Sequence, residues 1–339
     1  ETTCLSSIWK TDDKVKQYLK THNREDDYKQ LNPSEVSYYD GCVYVDLSTI
    51  RPNIALPFHP SNVYSIKEFK ENTADIISIT DKLGKEQLGG GLDFSLKDKL
   101  TKDGFLCSQA VIAGCAGGMF ENITYAADIL KGKNTGSDAF SLSVYPSSQS
   151  VMYALMNNNS INTLMLAGAT VRSAFCGPCF GAGDVPGNKG LSIRHTTRNF
   201  PNREGSRPSD NQYASVALMD ARSIAATAAN KGILTAADEI DIKYSEADYH
   251  FNSEIYEARV YNGWRKAGKS EELIYGPNIA QWPEMPELSD DIIIKVVSVI
   301  NDEVTTTDEL IPSGETSSYR SNPYKLAEFT LSRKDPDYV

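Results

Sequence analysis

Cys115, Cys176 and Cys179 are the side chains of this chain whose types and spacing could do chemistry. The first stands in Val-Ile-Ala-Gly-Cys-Ala-Gly-Gly, the other two in Cys-Gly-Pro-Cys. Three thiolates fall short of the four ligands that close a structural zinc site and exceed the two of a dithiol redox site. They suit an inorganic cluster with one metal corner left open for substrate. Gly114, Gly117, Gly118, Gly177, Gly181 and Gly183 crowd all three, as expected where backbone must come close to a bulky inorganic group. Shortly after, Thr-Thr-Arg-Asn-Phe-Pro-Asn-Arg-Glu-Gly offers Arg198 and Arg203 as carboxylate-binding groups.

Rival readings of these thiols exist. Cys-Gly-Pro-Cys is also the redox motif of thioredoxin-like proteins, where the first cysteine sits at a helix N-terminus that lowers its pKa. Here Phe-Gly-Ala-Gly-Asp-Val-Pro-Gly follows, which resists continuing as a helix, and the aromatic in front is Phe175 rather than tryptophan. A structural zinc site and unrelated buried thiols are the remaining alternatives. Cys115 lies where an apolar run ends in a glycine-rich turn before a helix, which would aim N–H groups and a helix dipole at an anionic cluster. Taken alone it would read as a small buried hydrophobe. Of the four histidines, His22 and His250 read as solvent-facing and His59 as structural, while His195 is near enough to Arg198 to reach the site. So few histidines make a His-centred metal site or a Ser–His–Asp hydrolase hard to assemble.

The elements that must position these groups belong to a globular chain of 339 residues, 40% hydrophobic and long enough for two or more domains. A net charge of −11 argues against a broad nucleic-acid face. No apolar run approaches the roughly 20 residues that span a bilayer. Six cysteines are too sparse for a disulfide scaffold and suit a reducing compartment. The chain opens at Glu1 without an initiator Met or signal-type segment and closes on Leu-Ser-Arg-Lys-Asp-Pro-Asp-Tyr-Val, so it reads as a piece of something longer.

Along the chain, the pattern predicts a helix over Asp13–Lys20 with Asp12 or Asp13 as N-cap, and a strand over Val43–Leu47. Pro52, Pro57 and Pro60 then force extended chain. Phe105–Ala113 reads as a buried strand, Phe120–Lys131 as an amphipathic helix, Phe140–Tyr145 as a strand and Val151–Asn157 as a helix. Leu164–Val171 is apolar and fits either state. Ala214–Asn230 reads as an alanine-rich helix stopped by Gly232. Pro277, Pro283 and Pro286 mark an extended connector, and Asp291–Ile300 reads as a new apolar strand. Such alternation favours an α/β domain with helices flanking a sheet.

These motifs resemble the aconitase superfamily of iron–sulfur hydro-lyases. Ala113-Gly114-Cys115-Ala116-Gly117 falls in the place of the family's Gly-Ser-Cys-Thr-Asn, and Cys176-Gly177-Pro178-Cys179 matches its second motif in full. Thr197-Arg198-Asn199-Phe200-Pro201-Asn202-Arg203 is similar to Asn-Arg-Asn-Phe-x-Gly-Arg, with both arginines at the same spacing. Thr307-Asp308-Glu309-Leu310-Ile311 resembles the Thr-Asp-His-Ile-Ser that opens the family's last domain, and Arg320 stands at the spacing of that domain's first active-site arginine. Glu1 with Thr2–Ser7 is similar to the segment carrying an active-site glutamate. Gly117 and Thr197 stand where the family has asparagines that help hold the cluster and its ligand, Glu309 where it has histidine, and Asn202 where it has glycine.

The resemblance implies an α/β fold in which an aconitase-like three-layer domain with flanking helices follows part of a preceding α/β domain and leads to a swivel-type domain. The implied divisions are 1–60, the end of family domain 2; 61–268, domain 3 with the cysteines; 269–289, a linker; and 290–339, the start of the swivel domain. It implies a 4Fe-4S cluster on Cys115, Cys176 and Cys179 with one open iron, lost or damaged in an aerobic preparation. Arg198, Arg203 and Arg320 would bind substrate carboxylates, and Glu1 and Asp308 would act as catalytic groups that orient or tune polar neighbours. The implied activity is hydration or dehydration of a di- or tricarboxylic hydroxy acid, in the cytoplasm or, in a eukaryote, the mitochondrial matrix. The partners implied are the small acid and the remaining domains of the same protein, with no membrane and no RNA. The isolated chain is expected to be inactive. The alternatives are a cluster-free family member serving as a binding module and a CxxC thiol–disulfide protein.

Overall fold

The computed structural model describes residues 6–339 apart from positions 90, 138–139, 202, 206–210, 262, 264–265, 273, 277–278, 280–283, 303–304, 306, 313–315 and 320. The chain divides into two compact units, Lys10–Arg259 and a second made of Glu1–Trp9 with Val260–Val339.

In the first unit a seven-stranded sheet runs in the order β2-β1-β9-β8-β5-β6-β7. Its strands are β1 (Asn53–Ala55), β2 (Val63–Ser65), β5 (Gln109–Ile112), β6 (Ser141–Val144), β7 (Thr170–Val171), β8 (Leu191–His195) and β9 (Ser215–Met219). The short pair β3 (Leu100–Thr101) and β4 (Gly104–Phe105) stands apart. β9, β8, β5, β6 and β7 are mutually parallel, and β1 lies antiparallel to both β2 and β9. From β5 the chain moves outward to β6 and β7, then returns to β8 on the other flank of β5 and moves outward to β9. The crevice beyond the carboxyl ends of β5 and β8 is therefore a topological switch point, the place where open α/β sheets bind ligands.

The helices are α1 (Asp13–Thr21), α2 (Ile66–Glu71), α3 (Thr73–Leu88), α4 (Gly114–Gly117), α5 (Phe120–Leu130), α6 (Gln149–Asn157), α7 (Ser160–Leu166) and α8 (Ala221–Ala229). Side chains alternate across a strand, and here the two faces of the sheet differ in kind. Ala110, Ile112, Leu142, Val144, Leu191 and Ile193 enter one apolar core with Ile123, Ile129, Ile224 and Ala225 of α5 and α8. The opposite parity carries Gln109, Val111, Ser143, Tyr145, Ser192 and Arg194, of which Val111 and Tyr145 form a small separate cluster with Ala113. That polar-lined face is the one from which the site is built.

Several expected elements take different bounds. The run 214–230 is a strand, β9, and then a helix, α8, rather than one helix. Asp220 divides them, because its carboxylate accepts from the N–H groups of Arg222 and Ser223, both at 3.0 Å, and so starts the helix there. Gly232 adopts φ +95°, as expected for a residue just past a helix end. The strand expected over 43–47 does not form: Val43 is 90% exposed and Tyr44 88%, and no strand pairs with them among the described residues. The run 105–113 splits into β4 and β5 around the buried Cys107, and 164–171 divides between α7 and β7. α1 keeps its expected cap, Asp12 Oδ1 accepting from Val15 N at 3.0 Å. His22, expected to face solvent, is half-buried and stacks on Phe251 with ring centroids 4.4 Å apart.

In the second unit, Lys334 Nζ reaches Glu309 Oε1 at 3.0 Å and also Asp302, and Tyr319 stacks on Phe329. The run Ile292–Val299 joins no ladder among the described residues, so the strand expected over 291–300 does not form there. No helix among the described residues is long and apolar enough to cross a membrane.

Candidate functional site

β5 runs to Ala113, whose extended φ of −152° leads into Gly114 at φ +76° and then Cys115 in the single turn α4. The turn is too short to carry the macrodipole expected there. It is held against β8, since Ala113 N donates to His195 O at 3.3 Å. Gly117 follows close by: a Cβ on it would stand 2.1 Å from the same carbonyl oxygen.

Cys176–Cys179 comes from the segment that leaves β7 and returns to β8. A single 3-10 turn, Gly177–Cys179, closes with Cys179 N donating to Cys176 O at 3.0 Å, and the chain then continues as irregular loop. The long helix a low-pKa redox cysteine would need is absent there.

The structure brings the three cysteines together. The Cys179 thiol lies where a side chain on Gly114 would be, 2.6 Å from an ideal Cβ. Burial first, and then electrostatic repulsion from Cys176 and Cys115, push the Cys179 thiol above its usual range. Arg194 and a hydrogen bond from the backbone of Thr197 pull the other way. Cys115 and Cys176 are exposed and Cys179 is partly buried. Among the described residues, no three His, Cys, Asp or Glu side chains gather about one point as a single metal ion requires. A four-iron cluster binds each thiolate at its own iron, so its ligands stand farther apart than those of one ion. The grouped thiols, the side-chain-free surface of Gly114 and the N–H of Thr197 on sulfur fit such a group.

The arginine segment is anchored on its far side by Asn199, whose Nδ2 donates to Ala55 O at 3.2 Å and Leu56 O at 2.8 Å. Phe200 packs edge-on against His59, ring centroids 5.2 Å apart. Arg198 is half-buried. Arg203 is 3% exposed, and its Nη1 donates to Cys179 O at 3.1 Å. It thus meets the backbone of the cysteine loop directly. Burial pushes His195 below the usual histidine range, so its ring is neutral near pH 7. Glu1, Arg320 and the side chain of Asp308 lie outside the described residues, as do Cys4 and Asn202.

Two site residues escape a reading of motifs. Asp184 carries its carboxylate under the loop, where Ser143 Oγ donates at 2.9 Å, Tyr145 Oη also donates, and Arg172 Nη2 stands at 3.7 Å. Burial first, and this bond second, push the Tyr145 phenol up to about 12. Arg194 is fully buried on the polar-lined face. Burial draws its guanidinium down to about 10, still protonated at neutral pH. Its one sequence signal is a charge in the middle of the strand Leu-Ser-Ile-Arg-His.

The profile of the aconitase family (aconitate hydratase) matches residues 1–226. The chain belongs to the aconitase family. Its matched relatives include 3-isopropylmalate dehydratase large subunits. That of Acetivibrio thermocellus is 27% identical over 241 residues, covering 69% of this chain and 46% of that protein. The Caldicellulosiruptor bescii protein is 28% identical over 244 residues, 71% and 47%. The Campylobacter concisus protein is 29% identical over 221 residues, 65% and 45%. The chain spans about half the length of these curated relatives. Within one unit, the loop of Cys176 and Cys179 meets Gly114 beside Cys115 and the backbone-binding fork of Arg203.

Proposed function

We propose that this chain is the cluster-bearing portion of an iron–sulfur-dependent hydro-lyase that adds or removes water on a di- or tricarboxylic hydroxy acid. The observation that carries the reading is the meeting of Cys115 with Cys176 and Cys179 at the switch point, against Thr197–Arg203. When bound there, a cluster with one open iron supplies a Lewis acid for the substrate hydroxyl.

The chain's own residues do the rest. Arg198, half-buried at the end of β8, presents a planar fork to a carboxylate, and a bidentate grip fixes the orientation of the reacting bond. Arg203 holds the backbone of Cys179 from beneath the site. Among the described residues, none is placed as the base that takes the carbon-bound proton, and general acid–base catalysis commonly contributes roughly 10²–10⁴-fold. The proposed partner is therefore further protein: additional domains or, since the matched relatives are large subunits, another subunit.

The test is anaerobic reconstitution followed by assay. The chain should bind iron and sulfide, stay nearly inactive alone, and hydrate an unsaturated di- or tricarboxylic acid once the rest of its parent protein is supplied. Failure of the wild-type chain to take up iron and sulfide would refute the reading.

A further inference from the structure

We propose that Arg194 is a positioning residue of this site, locking the cysteine loop to the arginine segment so that thiols and substrate-binding forks keep one spacing. The inference rests on the cluster reading above.

A guanidinium has five N–H donors, and here every one has an acceptor. Nη1 donates to Pro178 O at 2.7 Å and Arg203 O at 3.2 Å. Nη2 donates to Asp184 O at 2.9 Å and Gln109 Oε1 at 3.5 Å, and Nε to Ser192 Oγ at 2.9 Å. Gln109 and Ser192 are register partners on β5 and β8, so the fork stands on the sheet. The other three acceptors are backbone carbonyls of the two segments that carry ligands and arginines.

The pattern closes on Cys179. Pro178 C=O belongs to the peptide unit entering Cys179, and Arg194 holds it. Cys179 C=O belongs to the unit leaving it, and Arg203 holds that one. Arg194 in turn holds the carbonyl of Arg203. Both peptide planes that orient the Cys179 Cα–Cβ bond are thus fixed by two arginines that are themselves tied together. Among the described residues the fork's hydrogen bonds go to backbone carbonyls, Ser192 and Gln109, while the nearby charges of Glu204 and Asp184 help keep the buried guanidinium protonated, so its directed bonds serve the loop. Lysine cannot replace it, because a point charge with three donors does not span five separate acceptors.

The test compares wild type with Arg194→Lys in the full 339-residue chain. After anaerobic loading, iron release to a chelator, the electron paramagnetic resonance spectrum of the cluster, and amide exchange of the cluster-free chain are read beside the denaturant midpoint. Arg194→Lys should release iron about 10- to 100-fold faster, the range for losing a group that orients a metal ligand. Its spectrum should change, and exchange should quicken at 177–184 while the sheet strands stay protected. If that variant does not fold, Ser192→Ala removes one acceptor of the fork, keeps the charge and should shift the same readouts in the same direction. Wild-type release rates and spectrum in a folded variant overturn the proposal. So does exchange that rises equally through the sheet, which marks general destabilisation. A wild-type chain that takes up no cluster overturns the cluster reading, and this inference with it, before any variant is compared.

Discussion

The thiol of Cys179 fills the space beside Gly114 where any other residue would carry its first side-chain carbon: an ideal Cβ would sit 2.6 Å from the sulfur. Gly114 also holds φ +76°, a left-handed conformation that costs an L-residue roughly 1–2 kcal/mol. Gly114→Ala should therefore destabilise the unit by about 2 kcal/mol and displace the Cys179 thiol. Cluster uptake should fall further than stability does. A denaturant titration set beside iron content checks both, and full loading of the variant would show that the contact is slack.

Gly117 stands where the family has asparagine, and the structure gives the reason that the residue cannot simply be restored. A Cβ there would lie 2.1 Å from His195 O and 2.9 Å from His195 Cβ, and the nearer atom is backbone that cannot swing aside. Gly117→Asn should cost about 3 kcal/mol, the upper end for overpacking, and should not improve cluster retention. An unchanged melting temperature would show that α4 can move away from β8.

Each of Cys115→Ser, Cys176→Ser and Cys179→Ser should abolish the loaded cluster. Cys42 is exposed, Cys107 is buried, and both should be dispensable for loading, as should Cys4. Iron and sulfide counts after anaerobic reconstitution decide this. Loss of the cluster on replacing Cys42 or Cys107, with retention in Cys115→Ser, would reverse the ligand assignment.

Stability should fall on the alkaline side. Burial pushes the Cys107 thiol up to about 12, from 9.0 in the open chain, and the Tyr145 phenol to about 12 from 10.0. Above pH 9 the unfolded chain sheds the Cys107 proton while the native state keeps it, so the unfolded state binds fewer protons and unfolding becomes easier as pH rises. Two pH units of that difference amount to about 3 kcal/mol between pH 9 and 11. Cys107→Ala should flatten the decline. Equal slopes in urea titrations at several pH values would exclude Cys107 as its source.

The candidate site residues were legible in the sequence because residue types and spacings are written locally. Cys176 and Cys179 need only a tight turn between them, and Arg198 and Arg203 belong to one short segment. The α/β alternation was equally readable, since apolar periodicity and caps such as Asp12 act within a few residues. The run from 214 to 230 misled because alanine favours helix wherever it stands, while β9 exists only through pairing with β8 and β1. Propensity is a weak prior against such pairing.

What tertiary structure alone decided is the meeting of parts distant in sequence. Cys115 follows β5 and the Cys176–Cys179 loop follows β7, and because β5, β6 and β7 run parallel in one sheet both segments leave at the same edge. Arg194 reads in the sequence as a stray charge in an apolar strand. Only strand parity puts it on the polar-lined face, and only the loop from β7 lays the carbonyls of Pro178 and Asp184 over it. A hydrogen bond to a backbone carbonyl leaves no mark in the identity of the residue that offers it. Motifs therefore point to the candidate ligands, whereas the groups that hold their loops in place became visible once the chain had folded.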